Sequence, residues 1–358
     1  MKRFTIFATV ILVLVALIWT FKSRLEAAAG LSNDNTVVFY NWGDYIEPEI
    51  ITMFEEETGY RVIYETFDSN EAMLAKIEQG GTKYDVIVPS EYMIENMIQK
   101  DMLLPLDYSK LPNVKHLDKD FMDWEFDPGN KYSLPYFWGT LGIVYNAREL
   151  GDDAFSSWRD LWKPEYRNEV LMIDGAREVI GIGLQAQGYD LNETDSNILR
   201  KSAEYMKTLM PNIAALIADE LKMHLTNEEN MIGVTYSGEA AMAMWENEDL
   251  AYYVPEEGSN FWEDTVAIPK NANNVEGAHA LIDFLCRPDI AALNAEYVGY
   301  SSPNEGAMKI LPKEITEDPA FYPSQDLIDK LSIYRNLGKE KLIEYNDLYL
   351  EVKIEPRD

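Results

Sequence analysis

From residue 36 onward, apolar and polar positions come in short blocks that read as strand, helix, strand, helix. Residues 36–40 form an apolar strand. An amphipathic helix over 49–58 follows, with Ile50, Met53 and Phe54 on one face, Pro48 at its start and Gly59 at its end. Residues 61–66 read as the next strand, and Ser69 or Asn70 caps a helix that stops at Gly80-Gly81. A third strand over 84–89 and a helix over 91–100 complete the series. Such alternation predicts a doubly wound, mostly parallel α/β sheet. Residues 131–146 are extended and punctuated by glycine, which predicts a crossover into a second lobe with helices at 202–209 and 238–247. A strand-like run over 262–269 predicts a crossover back, and paired crossovers predict two hinged lobes with a ligand cleft between them.

Length and composition agree. At 358 residues the chain exceeds one comfortable core, and 47% hydrophobic with 26% charged residues describes a globular protein. The net charge of −31 repels nucleic acid and anionic substrates and attracts cations. The single cysteine, Cys286, sits in an apolar run and suits core packing.

Residues 1–30 read as a signal or anchor segment outside the fold: Lys2 and Arg3 precede an uninterrupted apolar run over 4–20. That run is longer than the roughly 7–15 residues of a signal core and just short of the ~20 of a spanning helix. Ala27-Ala28-Ala29 offers a cleavage site beyond Lys22 and Arg24, and no cysteine nearby permits lipid modification. The expectation is an exported protein, tethered through residues 4–20 or slowly cleaved.

Catalysis has little support. His116, His224 and His279 lack metal-ligand spacing, and no nucleophile elbow, phosphate loop, dinucleotide fingerprint or zinc-protease motif is present. Gly181-Ile182-Gly183 suits helix packing, and the acidic run from Asp118 to Asp127 suits a solvated face. No metal or cofactor is expected.

The candidate chemistry is aromatic and acidic. Trp42, Asp44 and Tyr45 follow the first strand, and Ser90 and Tyr92 follow the third, where open α/β sheets bind ligands. Trp262 and Asp264, two apart on a strand, share one face. Glu178 opens a helix after an apolar strand, either as a cleft carboxylate or as a dipole-favoured first-turn acid. Tyr236 ends another apolar segment and Tyr300 lies in a turn. Ring faces with carboxylates suit an organic cation.

Several segments carry these residues in a fixed order. They are Tyr40-Asn41-Trp42-Gly43-Asp44-Tyr45, Val88-Pro89-Ser90-Glu91-Tyr92, Leu134-Pro135-Tyr136-Phe137-Trp138-Gly139, the run from Ser157 to Tyr166, Ala176-Arg177-Glu178-Val179, the run from Phe261 to Pro269, and Gly299-Tyr300-Ser301-Ser302-Pro303-Asn304. Together they resemble the extracytoplasmic spermidine/putrescine-binding proteins of ABC importers, across nearly all of residues 36–350. The resemblance implies a two-lobed periplasmic-binding-protein-like fold that closes on a polyamine. It implies lobe 1 from 36–139 and 263–308, and lobe 2 from 140–262 and 309–358.

It further implies Trp42 and Tyr45 beneath the methylenes, Ser90 and Tyr92 at one amine, and Glu178 and Asp264 on ammonium groups. Trp262 would stack along the ligand and Tyr300 would close one side. Tyr236 stands where relatives often carry tryptophan, Gly175 where some carry an acid, and a polar contact falls near Tyr334 or Arg335. The implied partners are a polyamine and an ABC permease, with no nucleic acid, for a monomer held at the membrane by its N-terminal segment. Rival readings are the same fold with another solute, and a membrane-anchored ligand-sensing protein.

Overall fold

The computed structural model describes residues 35–217 and 220–357; the expected signal or anchor segment lies outside them. Among the described residues, no helix is long and apolar enough to cross a membrane.

Strands β1 (Thr36–Trp42), β2 (Arg61–Phe67) and β3 (Val86–Ile87) pair in parallel, with β1 in the middle. Helices α1 (Pro48–Thr58), α2 (Asn70–Gln79) and α3 (Glu91–Gln99) alternate with them. Pro48 sits in the first turn of α1, and Gly59 ends it at φ 77°, a left-handed cap that glycine adopts without a Cβ penalty. Ser69, not Asn70, caps α2 by accepting from the Ala72 N–H. The third strand is shorter than the sequence suggests. Only Val86 and Ile87 stay in the ladder, and the buried Asp85 carboxylate instead accepts from the N–H groups of Val38, Asn273 and Asn274.

β4 (Ser133–Asn146) is buried along its whole length and serves both lobes. Its first half pairs antiparallel with β9 (Asn260–Ala267). Its second half pairs with β7 (Ile232–Tyr236) and β8 (Leu250–Tyr253). Beyond β7 lie β5 (Val170–Ile173) and β6 (Ile213–Ile217), both parallel. β10 (Ser332–Ile333) joins β9 in parallel. The outer strands of each lobe are therefore parallel, and the antiparallel pairings fall where chains cross between lobes.

Two cores flank these crossing strands. One gathers Phe39, Ile50, Phe54, Val86, Val266 and Ile282. The other gathers Ile143, Val170, Ile180, Leu199, Tyr345 and Val352. The helices of the second core are α4 (Ala176–Ala186), α5 (Ser196–Lys207) and the C-terminal helix Gly338–Lys353, while α6 (Ser237–Glu246) packs beside it with Val144, Leu171 and Leu250. α5 starts six residues before the expected 202, because Asp195 caps it by accepting from the Asn197 and Ile198 N–H groups. Gly181 and Gly183 do serve packing: a Cβ on either would press on Leu191 or Ser202 and Met206. Cys286 is buried in the first core. The acidic run is not uniformly solvated. Asp127 is buried and accepts from the N–H groups of Lys131, Tyr132 and Ser133, fixing the entry to β4.

Candidate functional site

The carboxyl end of β1 turns sharply. Buried Asn41 holds the turn, accepting from the Trp42 N–H at 2.9 Å and donating to the Tyr45 carbonyl at 3.2 Å. Asp44 takes the left-handed conformation, φ 49°, that lets the chain reverse. Tyr45 is thereby driven inward against the edges of Phe137, Tyr136 and Tyr300, while Asp44 stays exposed on the turn. Among the described residues the Asp44 side chain makes no hydrogen bond or ion pair; its part here is in the turn.

Tyr45 and Ser90 converge on Asp264. The Tyr45 hydroxyl donates to Asp264 Oδ2 at 2.8 Å, and the Ser90 hydroxyl donates to Oδ1 at 2.6 Å. Ser90 stands at the N-cap position of α3, yet its side chain makes no capping bond; it is spent on Asp264. Asn70 at the start of α2 braces it, donating to Ser90 Oγ at 3.0 Å and accepting from its N–H at 3.1 Å. The Tyr92 hydroxyl donates to Glu71 Oε1 at 3.2 Å rather than to Asp264.

At the second core, Gly175 opens α4 and Glu178 folds back over it. A Cβ at Gly175 would collide with the Glu178 carboxylate, so glycine is needed for this arrangement. The Tyr236 hydroxyl at the end of β7 donates to Glu178 Oε1 at 2.9 Å. Trp262 stands between the two groups, its ring edge-on to Tyr300 at 5.0 Å and to Tyr236 at 6.0 Å. Trp42 tilts onto Phe67 at 4.5 Å. The indole nitrogens of both tryptophans are buried without an acceptor. Gly139 leaves room for the Trp262 ring, whose Cζ2 would lie 2.6 Å from a Cβ placed there.

Neither Asp264 nor Glu178 has a lysine or arginine within salt-bridge distance among the described residues. Arg177 turns away from Glu178: its guanidinium lies 4.2 Å from the Tyr334 ring and donates to Asn192 Oδ1 at 2.9 Å. Asp174 is not its partner, since Lys353 holds that carboxylate at 2.7 Å. Burial pushes the Asp264 carboxyl up to about 6 against the pull of the Ser90 and Tyr45 hydroxyls, and burial also raises Glu178. A buried carboxylate without a cation is costly unless a cation arrives.

Sequence reasoning missed four residues here. Glu71 reaches Tyr92 from α2, and its charge acts on Glu178. Glu91 and Glu263 form a buried carboxyl pair behind Asp264, where Glu91 accepts from the Glu263 N–H at 3.2 Å. Burial raises Glu91 to about 8 and lifts Glu263 well above the usual range. Asn70 was read only as a cap. Tyr334 is buried beside Arg177 with an unpartnered hydroxyl, while Arg335 points outward to Glu125. The residues flanking Ser90 and Asp264 in sequence were the available signal for Glu91 and Glu263.

The chain is 40% identical over 329 residues to the spermidine/putrescine-binding periplasmic protein of Salmonella typhimurium, covering 91% of this chain and 94% of that one. Among solved structures it is similar to a putative spermidine/putrescine ABC transporter protein from Listeria monocytogenes. The TM-score there is 0.85 at 53% identity, over 90% of this chain and 100% of the other. The substrate-binding protein of the Streptococcus pneumoniae spermidine/putrescine transporter gives a TM-score of 0.82 at 50% identity, over 90% and 100% of the two chains. Residues 49–323 match the family of bacterial extracellular solute-binding proteins, and the chain belongs to that family.

Proposed function

We propose that this protein captures linear polyamines, spermidine or putrescine, outside the cytoplasm and delivers them to the permease of an ABC importer. One observation carries the reading. Asp264 on β9 and Glu178 on α4 are buried carboxylates without a cationic partner among the described residues, joined by the edge-on rings of Tyr236, Trp262 and Tyr300. A diamine or triamine matches this arrangement, with ammonium groups for the acids and methylenes for the rings. The names of the relatives support the same cargo.

In this reading Asp264 and Glu178 bind the ammonium groups, and Tyr45, Ser90 and Tyr236 orient the two carboxylates. Trp42, Trp262, Tyr92 and Tyr300 line the hydrocarbon path, and Asp44 shapes the turn that presents Tyr45. The lobes divide as residues 36–139 with 263–308, and 140–262 with 309–358. The placement of Tyr345, Leu348 and Val352 in the second core supports the last assignment. Closure of the lobes about β4 and β9 traps the ligand, which selects the closed state by touching both sides. The protein acts as a monomer, held at the membrane surface by its N-terminal apolar segment.

Uptake of radiolabelled putrescine and spermidine by cells lacking the gene tests this role. Uptake restored by the wild-type chain and not by Asp264→Asn is the expected result. Undiminished uptake of both polyamines in the deletion strain, in the absence of a second importer, would overturn it.

A further inference from the structure

The face of β4 and β9 turned away from the cleft carries its own group of rings. Trp138 stacks on Phe261 at 5.5 Å, and Phe121 lies 4.8 Å from Trp138. Trp124 sits 5.7 Å from Phe261, and Tyr322 meets Trp138 edge-on at 5.9 Å. These rings line a cavity of about 400 Å³, within the ~300–1,000 Å³ of small-molecule sites.

The charged residues around it are all acidic: Asp118, Asp120, Glu305 and Asp329, with no lysine, arginine or histidine in the lining. Their hydrogen bonds come from neutral donors, the Asp120 N–H to Asp118 and the Gln325 amide to Asp329, so the negative charge stays in place. The inner wall is unsatisfied. Trp138 is 1% exposed, lines the cavity, and its indole N–H has no acceptor. Its register partner Glu263 leaves the sheet on the same face, fully buried, beside the Trp124 side chain that lines the same cavity.

We propose that this cavity is a second binding site, for a linear organic ammonium ion, behind the crossing strands and separate from the cleft between Glu178 and Asp264. Ring faces draw an ammonium group, most strongly where water is excluded, and the acidic rim sets the sign of the charge. A water or hydroxyl accompanying the ammonium satisfies the Trp138 N–H. The site also touches both lobes. Phe121 and Trp124 belong to the first, whereas Tyr322 follows Phe321, which stacks on Trp245 of the second at 5.5 Å.

Equilibrium dialysis with radiolabelled putrescine tests the site, at about 0.15 M salt, where exposed charges are screened beyond ~8 Å. The expected result is two saturable equivalents in the wild type. The variant Asp120→Asn/Glu305→Gln/Asp329→Asn, altered only at exposed positions, should lose at least tenfold in affinity for the weaker equivalent and keep the tighter one. The variant Glu178→Gln/Asp264→Asn should do the reverse. A single equivalent in the wild type, or a weaker equivalent untouched by the rim substitutions, would overturn the proposal. Failure of the cleft alone would remove the tight equivalent and leave the second in place, which separates the two ideas.

Discussion

The Tyr236 hydroxyl donates to Glu178 Oε1 at 2.9 Å, joining the end of β7 to the first turn of α4. That bond fixes one carboxylate oxygen, Oε1. Asp264 differs, with both oxygens already taken by the hydroxyls of Tyr45 and Ser90. Each oxygen has a second lone pair, so an ammonium can still be accepted, in a geometry set in advance.

Asp264→Asn and Glu178→Gln should each weaken polyamine binding by about tenfold or more. Removing one partner of a buried charge pair costs roughly 2–5 kcal/mol. Calorimetric titration of each variant, with circular dichroism to establish folding, checks this. Unchanged affinity in both would remove the two carboxylates from the site.

Binding should depend on pH with a definite sign. The ligand favours the ionised carboxylates, so affinity is full above the ligand-free value of about 6 for Asp264 and falls as pH drops through it. Titrations in buffers of different ionisation enthalpy should show proton release on binding near pH 6. Release that is absent in wild type, or unaltered in Asp264→Asn, contradicts the account.

Ligand-free stability should show the opposite slope for Glu91. Its carboxyl is raised to about 8 by burial, so the folded state holds a proton that the unfolded chain has lost. That contribution is fully present below the unfolded value of ~4.3 and is lost as pH rises through about 8. Glu91→Gln should therefore gain Tm relative to wild type progressively between pH 5 and 9. A constant difference across that range would mean that Glu91 does not titrate there.

Closure can be perturbed without touching a polar group. Tyr300 lies directly over Gly238, and a Cβ there would overlap its ring; the proposed division puts the two in different lobes. Overpacking costs roughly 1–3 kcal/mol, and a contact made on closure would place that cost on the closed state alone. Gly238→Ala should weaken binding about fivefold or more through a faster off-rate, with little change in ligand-free Tm. Stopped-flow fluorescence separates the two rates, and a loss confined to the on-rate would argue against a closure contact.

Much of the site could be read from local pattern. Trp262 and Asp264 share a strand face by their spacing, and the same alternation sends Glu263 to the opposite face, beside Trp138. Ser90 and Tyr45 follow strand ends, where side chains face the cleft by topology. What could not be read was partner choice. Glu178 fits a first-turn acid as well as a cleft carboxylate, and its bond to Tyr236, 58 residues on, belongs to no local pattern. Glu71 stands on a neighbouring helix and meets Tyr92 only through tertiary packing. Asp127 looked like one more solvated acid, yet three backbone N–H groups converge on it. The Phe121–Trp138 cavity draws rings from segments far apart in the chain, which no window of sequence brings together.

Calorimetric titration with spermidine and then putrescine, after unfolding and refolding to strip carried-over ligand, tests the central claim most directly. The account predicts a saturating event of micromolar or tighter affinity with at least one of them, lost in Glu178→Gln/Asp264→Asn. A refolded protein that takes up neither polyamine at any of several temperatures would contradict it.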